Sequence, residues 1–153
     1  MDKHQSIISK NPEETAALGE AMAASVMGER GLSPGPAVFC LYGNLGSGKT
    51  TFTQGFARGL GITARLLSPT FIIVRRYAMP KPYGFLYHID LYRLQSESEM
   101  KDLGISEILQ DHTSFVVIEW AEKLGDVKPE RRTDISFFVT GGGYHSIEVA
   151  GHI

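Results

Sequence analysis

The sequence has little cysteine and no long apolar run. Its one cysteine, Cys40, allows no intrachain disulfide and no cysteine-rich zinc site. Cys40 stands inside the apolar run 37–41, where a buried strand residue is far commoner than a nucleophile. No run approaches the roughly 18 apolar residues that span a bilayer. Residues 1–6 are polar, and no apolar signal-peptide core follows them. We therefore expect a cytoplasmic protein that does not enter the membrane.

An excess of charge of either sign is also missing. The 15 Lys and Arg nearly balance the 17 Asp and Glu, which gives a formal net charge of −2. A dedicated nucleic-acid binder usually has a strongly basic face, so the balance argues against that class but allows a local basic patch. The length of 153 residues and the hydrophobic content of 42% predict a single globular domain over 1–153.

The N-terminal half of the chain reads as helix, strand and helix. Asn11 is a good cap and Pro12 a good first residue for a helix over 11–27, whose apolar face recurs at four-residue spacing. The continuously apolar segment 37–42 predicts a strand buried on both faces. A second helix is predicted from near Lys49 to about residue 60, where Gly61 ends it.

The C-terminal half is richer in strands. Runs 71–77 and 85–90 are separated by a linker too short for a helical crossover, so we expect them to be antiparallel neighbours. Ser96 and Glu99 form a capping box that opens a short helix ending near Gly104. Three further strands are predicted at 115–119, 134–139 and 145–149, the last two joined by a turn at the glycines 141–143.

The strongest motif follows the strand 37–42. It reads Gly43, Asn44, Leu45, Gly46, Ser47, Gly48, Lys49 and Thr50, which fits the Walker A pattern G-x-x-x-x-G-K-[ST]. The glycines let main-chain N–H groups approach phosphate oxygens, and the following helix adds the positive end of its dipole. Lys49 would reach the β- and γ-phosphates, and the Thr50 hydroxyl would coordinate Mg²⁺. The motif predicts that ATP binds here.

This motif, set between a strand and a helix, predicts the fold class. We expect an α/β protein, a P-loop NTPase of three layers. Its central sheet should be mixed, with a parallel core and added antiparallel strands.

Two predicted strands end in a carboxylate. Asp90 follows the apolar run 85–89, and Glu119 follows 115–118. Ligands bind at the carboxyl ends of strands in open α/β sheets, so both acids are candidates to lie beside the P-loop. One would hold Mg²⁺ and the other would orient the attacking water. The residues alone leave open which acid has which task, and a solvated strand end remains the alternative for each.

Three other positions have two interpretations each. Thr70 lies in the loop 68–70, in the place of a switch loop that senses a γ-phosphate, but it would equally suit a turn-stabilising role. His88 is more commonly a satisfied core or surface histidine than a functional one. Trp120 has packing as its default role, although an aromatic ring beside a nucleotide or a partner surface would also be useful.

The arginines suggest where a local basic patch would form. Arg93, close after Asp90, is the arginine best placed for phosphate charge. The pairs Arg75–Arg76 and Arg131–Arg132 are typical of solvated faces, and either pair would also suit contact with RNA or an acidic partner.

Four stretches taken together resemble the TsaE (YjeE) family, small bacterial P-loop ATPases required for threonylcarbamoyladenosine (t6A) modification of tRNA. They are LGSGKTTF at 45–52, SPTF at 68–71, HIDLYRL at 88–94 and IEW at 118–120. Two departures stand out: Ile89 replaces the usual phenylalanine, and Ala121 stands where proline is frequent.

The resemblance implies roles that the residues alone do not give. It implies that Lys49, Thr50 and Thr51 serve phosphate and metal, that Asp90 and Glu119 serve metal or water, and that Thr70 belongs to a switch-like loop. It also implies ATP hydrolysis with Mg²⁺ in partnership with a TsaB–TsaD complex, in which TsaD performs the transfer to adenosine. tRNA would be met indirectly or through a local basic patch. We expect a monomer or weak oligomer when the chain is alone, with slow intrinsic turnover.

The sequence also allows three other functions. A small-molecule kinase would also pair a P-loop with a strand-end aspartate, but segment 94–118 is short and poor in arginine for a lid. A GTPase would need an Asn-Lys-x-Asp stretch, which the sequence lacks. A nucleotide-gated binding module would bind nucleotide without turnover.

Overall fold

A computed structural model describes residues 3–29, 37–64, 66 and 73–152. Within these ranges one mixed sheet has seven strands in the order β1-β7-β6-β2-β5-β4-β3. The strands are β1 (Lys3–Ser9), β2 (Ala37–Tyr42), β3 (Val74–Ala78), β4 (Phe85–Asp90), β5 (Phe115–Glu119), β6 (Arg132–Val139) and β7 (His145–His152). The helices are α1 (Pro12–Glu29), α2 (Lys49–Gly59), α3 (Glu97–Asp102), α4 (Ile105–Ile108) and a 3₁₀ helix (Ala121–Val127).

The centre of the sheet is parallel and its margins are antiparallel. Strands β6, β2, β5 and β4 run in one direction, whereas β7, β1 and β3 pair antiparallel. The expectation of a mixed sheet with a parallel core is therefore confirmed, and so is the antiparallel pairing of β3 with β4. The register sets Leu41, Glu119 and Asp90 side by side at the carboxyl ends of β2, β5 and β4. This edge of the sheet is where a ligand site is expected.

Helices α1 and α2 cover one face of the sheet at very close range. A Cβ built on Gly55 would lie 1.9 Å from the Ala16 carbonyl oxygen, and one on Gly19 would lie 2.3 Å from the Phe52 carbonyl oxygen. Only glycine permits this approach of two helix backbones. Aromatic rings fill the space between α2 and the sheet, with the centroids of Phe39 and Phe56 4.7 Å apart. The P-loop helix is thereby fixed relative to the strand that precedes it.

The opposite face is covered by α3, α4 and the 3₁₀ helix. They bury a second apolar cluster whose members include Val38, Ile118, Leu124 and Cys40. Burial raises the pKa of the Cys40 thiol to about 12, as expected for a buried hydrophobe rather than a nucleophile. The three-layer arrangement is confirmed. No helix in the described part of the chain is long and apolar enough to cross a membrane.

Most predicted elements are present, with shifted ends. Helix α1 begins at Pro12 with Asn11 as its cap, since Asn11 Oδ1 accepts a hydrogen bond from the Glu14 amide at 2.8 Å. It continues to Glu29, two residues beyond the predicted end. The described part of the third strand, β3, runs from Val74 to Ala78, and the predicted start at 71–72 lies outside the described residues.

Three elements of the described ranges were not predicted. Strand β1 is polar, and it is recognisable only through its pairing with β7 along its whole length. The four-residue α4 and the 3₁₀ helix are too short to show an apolar period, and both are held by burial of one or two side chains, Ile105 in α4 and Ala121 and Leu124 in the 3₁₀ helix.

Candidate functional site

The phosphate-binding loop joins β2 to α2, and its shape depends on glycine. Gly43, Gly46 and Gly48 have φ values of 148°, 77° and 111°, which other residues rarely adopt. A Cβ on Gly43 would lie 2.6 Å from Ser47 Oγ and 2.8 Å from the Phe137 carbonyl oxygen. The loop therefore folds tightly on itself and against β6 before α2 begins at Lys49.

Lys49 lies at the centre of this loop. Its ammonium group donates hydrogen bonds to the carbonyl oxygens of Gly43 at 2.5 Å and Asn44 at 3.0 Å. It also lies 4.5 Å from the ring centroid of Trp120. Burial lowers the pKa of Lys49, and the negative charges of Glu119 and Asp90 oppose that shift. The Lys49 ammonium group thus lies near the start of α2, where the helix dipole is also positive.

Glu119 joins two parts of the site. Its Oε1 accepts a hydrogen bond from the Thr50 hydroxyl at 3.1 Å, and its Oε2 lies 2.5 Å from His88 Nε2. The Glu119 side chain is 3% exposed and that of His88 is 1% exposed. The two predicted metal-binding side chains, Thr50 and Glu119, are therefore in direct contact although 69 positions separate them.

Asp90 lies beside Glu119 on the neighbouring strand. Its Oδ1 accepts a hydrogen bond from the Tyr92 amide at 3.0 Å. Burial raises the pKa of Asp90, and Glu119 adds to the rise, whereas the Tyr92 amide, His88 and Lys49 lower it. Asp90 is half-buried and so is more open to solvent than Glu119.

These groups line one cavity of about 650 Å³. Among the predicted site residues, the lining includes Leu45, Gly46, Gly48, Lys49, Thr50, Thr51, Asp90 and Glu119. Trp120 and Arg93 line it too. Gly43, Asn44 and Ser47 form the rest of the loop, and Thr70 lies outside the described residues.

A second wall of the cavity was missed by sequence reasoning. It is formed by the β1–α1 junction, through Lys10, Asn11 and Thr15, and by the C-terminal hairpin, through Gly143 and His145. His145 Nδ1 lies 2.5 Å from the Ser47 carbonyl oxygen, 98 positions away in the chain. No local pattern signals such a contact, because the pairing of β7 with β6 and of β6 with β2 brings His145 to the loop that follows β2.

The donors and acceptors of the cavity fit a nucleotide phosphate and a divalent cation. Ser47 Oγ, in the phosphate-binding loop, is buried without a hydrogen-bond partner among the described residues. No group of three His, Cys, Asp or Glu side chains that could hold a metal ion occurs in the described ranges. A P-loop needs no such group, since it holds Mg²⁺ with a hydroxyl, a carboxylate and phosphate oxygens.

A mixed sheet with a parallel core, a glycine loop leading into a helix that begins with Lys-Thr, and strand-end carboxylates beside that loop define a P-loop nucleotide-binding protein. Comparisons with known proteins specify the family. The family model "Threonylcarbamoyl adenosine biosynthesis protein TsaE" matches residues 9–143. The chain belongs to the TsaE family, which confirms the resemblance seen in its motifs.

Individual relatives agree with this assignment. The tRNA threonylcarbamoyladenosine biosynthesis protein TsaE of Bacillus subtilis is 43% identical over 128 residues, which cover 82% of this chain and 72% of the relative. The TsaE protein of Treponema pallidum is 38% identical over 145 residues, covering 94% and 98%. A crystal structure of Bacillus subtilis YdiB superposes with a TM-score of 0.73 at 31% identity and covers all of this chain and 88% of the other.

Proposed function

We propose that this chain binds ATP with Mg²⁺ in the cavity, hydrolyses it, and so takes part in the t6A modification of tRNA together with a TsaB–TsaD complex. The observation that carries the proposal is the contact between the Thr50 hydroxyl and Glu119 Oε1 at 3.1 Å, beside Lys49. A hydroxyl from the start of a P-loop helix and a strand-end carboxylate are the two protein ligands with which P-loop NTPases hold Mg²⁺.

The geometry favours a division of roles that the residues alone left open. Glu119 touches Thr50, so we assign it with Thr50 to the metal. Asp90 is next to it but held by the Tyr92 amide, so we assign it to orienting water. Lys49, Thr51 and the amides of 43–50 would bind phosphate. Mg²⁺, when bound, supplies positive charge that offsets the charge of the phosphate oxygens.

Phosphate binding does not require Lys49 to give up its loop partners, because an ammonium group has three N–H donors. Its ammonium group now donates to two loop carbonyls, which are neutral acceptors. Phosphate oxygens are charged, so a hydrogen bond from the ammonium group to them is strengthened by the attraction of opposite charges. The third N–H of Lys49 can therefore donate to a phosphate oxygen while both bonds to the loop carbonyls are kept.

The place in tRNA modification rests on the relatives. Those of Bacillus subtilis and Treponema pallidum carry t6A biosynthesis in their names. Within that process we assign ATP hydrolysis to this chain and the transfer to adenosine to TsaD. Turnover by the chain alone should be slow, because a group supplied in trans to a P-loop is worth about 10³ to 10⁵ in rate.

The test is ATP hydrolysis by the purified chain, alone and with its cognate TsaB–TsaD pair, with Lys49→Ala as the control. We expect hydrolysis to be stimulated by the pair and abolished by the substitution. Turnover that is indifferent to the pair would favour a kinase instead, and nucleotide binding without any turnover would favour a binding module.

A further inference from the structure

His88 is a buried titratable residue for which the proposed function has no role. It lies on β4, two residues before Asp90, and its Nε2 is 2.5 Å from Glu119 Oε2. We propose that His88 is a positioning residue: it holds Oε2 of Glu119 so that Oε1 faces Thr50 and the metal position. This inference deepens the proposed function and rests on its assignment of Glu119 to Mg²⁺.

The sheet register explains why only this strand position can make the contact. Strands β4 and β5 are parallel neighbours, with His88 opposite Val117 and Asp90 opposite Glu119. Alternate residues of a strand share a face, so His88 and Asp90 both lie on the face that carries Glu119. Asp90 lies level with Glu119, whereas His88 lies two residue pairs further into the sheet and is itself buried.

The chemistry of the two groups determines the direction of the hydrogen bond. A carboxylate that binds a metal ion can only accept hydrogen bonds, so the metal role assigned to Glu119 puts the imidazole hydrogen on Nε2. Both oxygens of Glu119 then have a donor, Thr50 on Oε1 and His88 on Oε2. A carboxylate that is 3% exposed would otherwise have an oxygen without a partner, which costs free energy and leaves the side chain free to rotate.

A merely space-filling histidine predicts different behaviour. Among the described residues His88 Nδ1 has no hydrogen-bond partner, so Nε2 makes the one polar contact of the ring. If packing were its whole role, side chains of similar size would substitute equally well. If positioning is its role, the donor at the Nε2 position must be kept. Partners that orient a metal ligand typically change metal affinity by about 10- to 100-fold.

A matched pair of amides separates these possibilities. His88→Gln keeps a donor near the Nε2 position, whereas His88→Asn is shorter and places its amide near Nδ1. The measurement is binding of a fluorescent ATP analogue as a function of Mg²⁺ concentration, together with binding in EDTA. His4→Asn, on the exposed edge strand β1, is the control for a histidine-to-asparagine change.

Mg²⁺ should promote binding of the analogue, and we expect His88→Asn to raise the Mg²⁺ concentration at which this effect is half-maximal by about 10- to 100-fold. Binding of the analogue in EDTA should be unchanged. His88→Gln should remain within about threefold of the wild type, because its donor is kept. Equal Mg²⁺ dependence of the two variants, or an equal loss of metal-free and metal-dependent binding, would overturn the positioning role.

Two further measurements keep the outcomes separate. Glu119→Gln tests the metal assignment itself: if it leaves the Mg²⁺ dependence unchanged, both proposals fail, and if it alone shifts the dependence, only the role of His88 fails. Nitrogen-15 NMR of the histidines is measured on the wild-type protein, so its result does not depend on whether a variant folds. A hydrogen on Nε2 of His88 supports the inference, and an unprotonated Nε2 contradicts it.

Discussion

Lys49 shows how a single residue can serve the fold and the site with the same atoms. It is the first residue of α2, and its ammonium group bridges the carbonyls of Gly43 and Asn44 across the loop. These bonds are made to main-chain atoms of the loop, not to the apolar core. Removing the side chain should therefore affect ligand binding far more than folding.

Lys49→Ala should weaken ATP binding because a charge-assisted hydrogen bond to phosphate is worth about 1.5–3 kcal/mol. At about 1.4 kcal/mol for each factor of ten, the expected loss is roughly 10- to 150-fold in Kd. Isothermal titration calorimetry measures the loss, and the unfolding temperature of the ligand-free variant serves as the control. An unchanged Kd would contradict the assignment of Lys49 to phosphate.

Ionisation of Asp90 should lower the free energy of unfolding, because burial and Glu119 raise the pKa of Asp90 in the folded state. The folded state then holds its proton more tightly than the unfolded chain does. Its stabilising contribution is complete below the ordinary carboxyl pKa of 3.8 and is lost as pH rises through the raised value. Asp90→Asn should thus raise the unfolding temperature at neutral pH.

The same substitution should have little effect at a pH below the ordinary carboxyl range, because Asp90 is then neutral in both states. Thermal unfolding of the two ligand-free proteins between acid and neutral pH measures the difference. If Asp90→Asn raised the unfolding temperature equally at every pH in this range, the charge of Asp90 would not be the cause.

At the level of elements, the site depends on how closely α1 and α2 pack. The closest approach is at Gly55, where an added Cβ would lie 1.9 Å from the Ala16 carbonyl oxygen. That oxygen belongs to a helix backbone and cannot move by itself. Helix α2 carries Lys49 and Thr50 at its N-terminal end, so separating the helices would also displace the P-loop.

Gly55→Ala should destabilise the protein by at least the 1–3 kcal/mol typical of an overpacked core. The matched control is Gly28→Ala in α1, where nothing lies within 4 Å of the added Cβ. That change should stabilise the protein by about 0.5–1 kcal/mol, because alanine is the better helix former. Urea unfolding of the three proteins tests both signs, and equal stability of the two variants would exclude the packing explanation.

At the level of the whole molecule, the first and last described strands bring their flanking residues together at the cavity. Strand β1 pairs with β7 over seven residues. This pairing brings Lys10 and Asn11 to the cavity beside Gly143 and His145. His145 also contacts the Ser47 carbonyl oxygen, so the C-terminal hairpin supports the P-loop directly. The proposed nucleotide site is therefore a property of the complete sheet and not of the Walker A segment alone.

Addition of ATP with Mg²⁺ should reduce amide hydrogen exchange in three separate segments: 10–15, 45–51 and 143–145. Ligand binding to the folded state lowers the population of open forms at every part of the cavity wall. Hydrogen exchange followed by mass spectrometry measures this, with Lys49→Ala as the control. Protection confined to 45–51 would mean that the second wall does not take part in binding.

The sequence by itself determined the P-loop, the family and the order of most elements, because these depend on residues that are neighbours in the chain. A glycine loop between an apolar strand and a helix is a local pattern, and so is the Asn11 cap of α1. It also determined that Asp90 and Glu119 end strands, which made them candidates for one site.

Only the tertiary structure decided how these candidates are arranged. The register of β4 with β5 sets Asp90 beside Glu119 and turns His88 toward the buried oxygen of Glu119. The pairing of β1 with β7 turns a polar segment into a strand and builds the second cavity wall. Strand pairing determines these contacts between residues that are far apart in the chain. Local residue spacing therefore cannot predict them.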